Sequence, residues 1–240
     1  MAMITLFPCL NDNYGFLLVE PESGFCATID TPDGVEIAKE FDRRGLTLTH
    51  ILNTHHHPDH VGGNLFLKEK YGATIVGPKA DAKRIPGIDI ALADGEVFKF
   101  GVYDIHLIHT PGHTLGHCAY YVPSEESVFV GDTVFTMGCG RLFEGTPAQM
   151  YSSMAKLAAL PADTKVYCAH EYTLSNAAFA VTAEPDNLDL RAAVKAAKAL
   201  RAQSQPTVPT TIAAELKTNP FMRAETAEKL GEIRKAKDRF

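Results

Sequence analysis

The segment Thr54-His55-His56-His57-Pro58-Asp59-His60 holds five metal-ligand side chains in seven residues. On an extended backbone side chains alternate, so His55, His57 and Asp59 are expected to face one way and His56 the other. Pro58 has no N–H to donate and disfavours helix at the residue before it, so the segment should stay extended until a helix begins near His60. Four apolar, strand-like runs end in ligand residue types. The run 51–53 leads into this segment, 105–108 into Thr110-Pro111-Gly112-His113, 128–130 into Gly131-Asp132, and 166–168 into His170-Glu171. Layered α/β proteins keep their function where loops gather at strand ends, and these four ends should share one edge.

Five imidazoles, His55, His57, His60, His113 and His170, and two carboxylates, Asp59 and Asp132, are more than one tetrahedral ion can use. Two ions can use all seven if one carboxylate bridges, as in two-metal hydrolases. Two divalent ions, two carboxylates and one hydroxide leave a formal surplus of one positive charge, which suits an oxyanion. Metal binding lowers the pKa of water to about 7, so a nucleophile is available near neutrality and hydrolysis of an acyl compound is the expected chemistry. His50, His106, His109 and His117 read as core, strand-face or supporting residues, and Asp30, in Asp30-Thr31-Pro32-Asp33-Gly34, reads as part of a turn.

The elements that must position these residues are nine strand-like runs: 3–7, 14–19, 25–30, 50–53, 73–76, 103–109, 117–122, 127–130 and 165–168. Helical spacing is predicted over 34–44, 60–71 and 147–160, the last with Pro147 near its start and Met150, Met154, Leu157 and Ala158 on one face. From about Leu174 the chain turns Ala-rich and helical, with a helix over 187–202 and a breaker segment at 204–209. A boundary near residue 173 therefore divides a catalytic domain, 1–173, from a helical domain, 174–240.

At 240 residues, with 45% apolar and 22% charged side chains, the chain can bury a core without disulfides. Its five cysteines contain no C-x-x-C pair and are expected to be reduced. No apolar run suits a membrane helix and no signal peptide is evident, so a cytoplasmic protein is expected. The net charge of −6 argues against a nucleic-acid partner, yet residues 185–240 carry +4 and residues 1–184 carry −10. A basic tail on an acidic body can recruit a small anion.

Thr-His-x-His-x-Asp-His at 54–60, with Gly112-His113-Thr114, Asp132 and His170, resembles the metallo-β-lactamase superfamily. That implies an α/β fold, a four-layer αββα sandwich, here followed by an all-helical C-terminal domain. Within the superfamily, Asp12-Asn13-Tyr14, Gly138-Cys139-Gly140-Arg141, His170-Glu171-Tyr172, Asn219-Pro220-Phe221-Met222-Arg223 and Lys237-Asp238-Arg239-Phe240 resemble the glyoxalase II (hydroxyacylglutathione hydrolase) family over nearly the whole chain. The resemblance assigns His55, His57 and His113 to one metal, Asp59, His60 and His170 to the second, and Asp132 as the bridge, with Asp59 and Asp132 the catalytic carboxylates. It implies a glutathione thioester held by Arg141, Phe143, Tyr172, Arg234 and Lys237; alongside it, two divalent ions, zinc by preference with iron or manganese accepted, and a monomeric chain are expected. Many members carry a tyrosine where this chain has Phe143, which removes one hydroxyl contact.

The implied reaction converts S-D-lactoylglutathione to D-lactate and glutathione. A thiol of pKa about 8.5 departs with little protonation, so no dedicated general acid is needed. The nearest rival is a persulfide dioxygenase of the same superfamily with a single iron held by two histidines and a carboxylate. A non-catalytic metal-binding module is the reading from a different class.

Overall fold

The computed structural model describes residues 3–240. By backbone contacts the chain divides into two compact units, one of residues 1–109 and 116–129, the other of 110–115 and 130–240.

The first unit opens with three antiparallel strands, β1 (Met3–Cys9), β2 (Asn13–Glu20) and β3 (Phe25–Ile29). Asp33 then caps α1 (Gly34–Arg44), its side chain accepting from the N–H groups of Val35 and Glu36, and Gly45 ends the helix at φ 66°. The helix buries Ile37, Ala38 and Phe41, which share a core with Leu17, Ile51 and Ile75. The strand β4 (His50–Leu52) lies parallel to β3, with Leu52 opposite Ile29. After it come α2 (Pro58–Val61) and α3 (Asn64–Tyr71), then β5 (Thr74–Pro78) and β6 (Ile90–Leu92), both continuing the parallel register. Parallel strands are covered on both faces, hence the fully buried pairs Ile51-Leu52 and Ile75-Val76. An antiparallel run follows: β7 (Val97–Phe100), β8 (Tyr103–His109), β9 (Cys118–Val122) and β10 (Ser127–Gly131), whose first three residues pair with β9.

The second unit contains the hairpin β11 (Val134–Phe135) and β12 (Gly138–Cys139), then α4 (Pro147–Ala158). Thr146 and Gln149 cap α4 reciprocally, Pro147 occupies its first turn, and Met150, Met154 and Leu157 are buried. Beyond β13 (Lys165–Cys168) the chain is helical: α5 (Thr173–Ala183), α6 (Leu188–Ala202), α7 (Ile212–Thr218) and α8 (Ala227–Lys237). One two-residue strand, β14 (Thr210–Thr211), interrupts the helices and pairs with Lys165 and Val166. No helix among the described residues is long and apolar enough to cross a membrane.

All nine predicted strands are present, and three local expectations change. The helix predicted over 60–71 is broken between α2 and α3 by Gly62-Gly63, because Gly63 lies against Gly34. A Cβ on Gly63 would stand 2.6 Å from the Gly34 Cα and nitrogen. Alternation through the histidine segment stops at His57, which is extended (φ −60°, ψ 147°) and caps α2, so Asp59 projects from a helical turn started by Pro58. Finally, β6, β7 and the two-residue strands β11, β12 and β14 went unread in the sequence, although Val97–Phe100 alternates exposed and buried as a half-covered strand does.

Candidate metal centre

In the first unit, the turn after β3 sets the site. Asp30 is buried at φ 58°, a left-handed conformation that aspartate tolerates. Its Oδ1 accepts the backbone N–H of Thr54 at 2.7 Å, and its Oδ2 accepts the Thr54 hydroxyl at 2.8 Å. The same Oδ2 lies 2.8 Å from His60 Nδ1. A carboxylate only accepts, so Nδ1 carries the proton and the neutral ring keeps its lone pair on Nε2. The Thr54 hydroxyl, having donated to Asp30, can only accept from His55 Nδ1 at 3.0 Å, which leaves the His55 lone pair on Nε2 as well. His55 Nε2 faces His57 Nδ1 at 3.0 Å, and His60 Nε2 faces Asp59 Oδ2 at 3.4 Å. Asn13 donates to that Asp59 oxygen at 3.1 Å. His56 turns away, as alternation requires, and pairs with the buried Asp81 at 2.9 Å.

In the second unit, His113 Nδ1 donates to the Arg141 carbonyl at 2.8 Å, so its Nε2 presents the lone pair to Asp132 Oδ2, 3.4 Å away. His170 Nε2 stands 3.4 Å from the other oxygen, Asp132 Oδ1. Tyr172 stacks on His170 with ring centroids 4.7 Å apart and planes within 4°, and Phe135 meets both rings edge-on. Gly140 is required here: a Cβ would fall 1.9 Å from the Asp132 carbonyl oxygen and 3.2 Å from His113 Nδ1.

Three groups of side chains offer donor sets that could hold a metal ion: His55, His57 and His113; His55, His60 and Asp132; Asp59, His60 and His170. Lone pairs turned on carboxylate oxygens at 3.4 Å repel unless a cation separates them. That spacing is also the edge of a tetrahedron with metal–ligand arms of about 2.1 Å, which is about 3.4 Å. The donor set therefore fits divalent ions, with imidazole and carboxylate as ligand types that zinc, iron and manganese all accept.

The residues expected to hold a glutathione moiety all lie in the second unit. Arg141 is exposed, its Nε 4.0 Å from Asp238 Oδ1. Phe143 is also exposed, with its ring edge-on to His113 at 5.2 Å. Lys237 donates to Asn176 Oδ1 and sits over the Phe221 ring. Burial, with Arg234 adding like charge, pushes the Lys237 ammonium down to about 8. Arg234 differs from the others, since its guanidinium is buried, donates to the Cys139 carbonyl at 2.6 Å and pairs with Asp238 at 2.9 Å. All five cysteines are buried and free.

Sequence reasoning read Asp30 as a turn. The available signal was that Asp30 follows an apolar strand run in the same way as the four runs that end in ligands.

Residues 16–170 match the family model described as the metallo-beta-lactamase superfamily, and residues 171–240 match the one described as hydroxyacylglutathione hydrolase C-terminus. A hydroxyacylglutathione hydrolase of Maricaulis maris is 49% identical over 252 residues, spanning 99% of this chain and 98% of the relative. One of Brucella ovis is 50% identical over 251 residues, with the same coverage. Among solved structures, ETHE1 from Myxococcus xanthus superposes with a TM-score of 0.75 at 24% identity, covering 98% of this chain and 90% of that one. The protein TTHA1623, in a di-iron-bound form, gives 0.65 at 25% identity over 91% and 99%.

Proposed function

The chain belongs to the metallo-β-lactamase superfamily and, within it, to the hydroxyacylglutathione hydrolases, and from that premise we propose that it hydrolyses S-D-lactoylglutathione and related 2-hydroxyacyl thioesters to the hydroxy acid and glutathione. The observation that carries this reading is the set of lone-pair nitrogens and carboxylates turned on one another in a chain that matches hydroxyacylglutathione hydrolases end to end.

In this proposal His55, His57 and His113 hold one divalent ion, Asp59, His60 and His170 hold a second, and Asp132 serves both. Zinc is the preferred metal, with iron or manganese the alternatives. Bound ions would supply a water-derived nucleophile near neutral pH and polarise the thioester carbonyl. The protein's own part is to keep the donors in one protonation state. Asp30, directly and through Thr54, keeps the protons of His60 and His55 on Nδ1, and the Arg141 carbonyl does so for His113. Expulsion of glutathione as a thiolate needs no side-chain acid, because its thiol loses a proton near pH 8.5.

Residues 1–173 form the catalytic domain in this reading, and the helical 174–240 contributes two of the thioester-binding cations, Arg234 and Lys237. Tyr172 and Phe143 would flank the substrate beside His170 and His113, and Arg141, Arg234 and Lys237 would meet the glutathione carboxylates, supported by the tail's positive balance. The reduced, buried cysteines suit a monomer working in the cytoplasm.

The test is S-D-lactoylglutathione hydrolysis by metal-depleted protein before and after restoring zinc, with metal counted per chain. Turnover that returns with two ions per chain is expected. A single iron with oxygen uptake on glutathione persulfide would replace the hydrolase with a dioxygenase, and full zinc loading without turnover would reduce the protein to a binding module.

A further inference from the structure

The β11–β12 hairpin has a two-residue turn, Thr136-Met137, with Met137 at φ 57°. Tight hairpins of this kind favour Asn-Gly, because a left-handed backbone is costly for a residue with a large side chain. The local sequence therefore does not make this turn by itself, and its backbone is held from the helices. Asn219 Nδ2 donates to the carbonyls of Gly138 at 2.8 Å and Phe135 at 3.2 Å. Asn176 Nδ2 donates to the Thr136 carbonyl at 3.1 Å. Glu215 Oε2 accepts the Met137 N–H at 2.9 Å and also binds Asn219 at 2.9 Å, while its Oε1 accepts the Thr210 hydroxyl at 2.8 Å.

All three side chains are essentially sealed from solvent: Asn219 and Glu215 are 0% exposed and Asn176 is 1%. Water has little room to replace a lost partner there, and each backbone group would be left unsatisfied. The Met137 side chain adds to the hold, buried with Ala177 and Ala180 of α5 and Leu190 of α6. Two residues beyond β12 the chain reaches Arg141, whose carbonyl fixes the proton of His113.

We propose that Asn219, Glu215 and Asn176 are positioning residues for the His113 imidazole: they clamp the 135–138 turn and thereby place the Arg141 carbonyl that keeps the His113 lone pair on Nε2. The helical region would then be part of the frame of the metal centre as well as a surface for the substrate. This rests on His113 being a metal ligand, as proposed above.

The test measures zinc affinity of the full chain by chelator competition, together with kcat and KM for the thioester. Imidazole nitrogen NMR reports the His113 tautomer. His113→Ala is the reference for loss of the ligand, and Leu157→Ala on α4, whose side chain makes no hydrogen bond to the hairpin, is the reference for lost stability alone. Asn219→Ala and Glu215→Ala are expected to weaken zinc binding about tenfold or more and to lower kcat with KM little changed. Glu215→Gln is expected to restore both, because its amide oxygen still accepts from Met137 and Asn219 and its NH2 can donate to Thr210.

Should Asn219→Ala not fold, Asn176→Ala frees the Thr136 carbonyl and also the Lys237 ammonium, so zinc affinity and the His113 tautomer, not KM, carry the same test there, with an expected loss of affinity of about threefold. Wild-type affinity and tautomer in the clamp variants, with affinity lost in His113→Ala, would overturn the positioning role. Affinity kept in His113→Ala as well would overturn the reading of His113 as a ligand. An equal loss in Leu157→Ala would assign the effect to stability and overturn the proposal.

Discussion

Asp30 Oδ2 lies 2.8 Å from His60 Nδ1, and the same oxygen accepts the hydroxyl of Thr54, which in turn faces His55 Nδ1 at 3.0 Å. One buried carboxylate thus sets the tautomer of two imidazoles. Asp30→Asn keeps the shape and the left-handed backbone but turns an acceptor into a donor. The protons of both rings should then move to Nε2, where lone pairs are needed. Metal affinity is expected to fall about 10–100-fold with little change in fold, read as zinc retained per chain after dialysis against a chelator, alongside circular dichroism.

Gly140→Ala puts a methyl group where the Asp132 carbonyl oxygen lies, 1.9 Å from the ideal Cβ. The β12 segment must shift, and with it the Arg141 carbonyl on His113. A displacement of this kind should cost on the order of 100-fold in kcat. Gly95, whose Cβ would meet nothing within 4 Å, has φ 81° and serves as a control for backbone strain away from the site. Steady-state kinetics of both alanine variants separate the two effects.

Lys237 holds its proton only to about pH 8, because burial disfavours the ammonium and Arg234 repels it. If it binds a glutathione carboxylate, kcat/KM should fall about tenfold per pH unit above 8 as the charge is lost. Lys237→Arg, charged throughout that range, should move this limb to higher pH. Lys237→Ala should raise KM more than it lowers kcat. A pH–rate series on the three proteins checks the expectation.

Burial pushes the Glu215 carboxyl up to about 7 from its ordinary 4.5, against hydrogen bonds from Asn219, Thr210 and Met137 that favour the anion. Between those values the folded chain keeps a proton that the unfolded chain has released. Stability is therefore greatest, for this group, below 4.5, and is lost as pH rises through 7, by on the order of 3 kcal/mol in full. Glu215→Gln has no such loss, so its stability relative to the parent should increase from pH 5 to pH 8. Denaturant unfolding at the two pH values measures the difference.

Much of this protein was legible in one dimension. Ligand chemistry is a property of residue type, and strand period is local, so the four strand ends bearing His55, His113, Asp132 and His170, and the apolar face Met150–Met154–Leu157 of α4, could be read before any coordinates. The strand β7 and the turn started by Pro58 carried local signals, whereas the other failures come from contact between residues far apart in sequence. The break between α2 and α3 depends on Gly34 meeting Gly63, and the role of Asp30 depends on Thr54 and His60 arriving beside it. Arg234 also donates to the Cys139 carbonyl, a partner 95 positions away that no local pattern announces.

The sequence by itself determined which atoms could bind a cation and which segments could be strands, because both follow from side-chain chemistry and neighbours within a few residues. Only the tertiary structure decided which nitrogen of each imidazole carries its proton, and what holds an unpromising Thr136-Met137 turn in place. Those are set by buried partners whose hydrogen bonds count once water is excluded, and burial is a property of the folded chain alone.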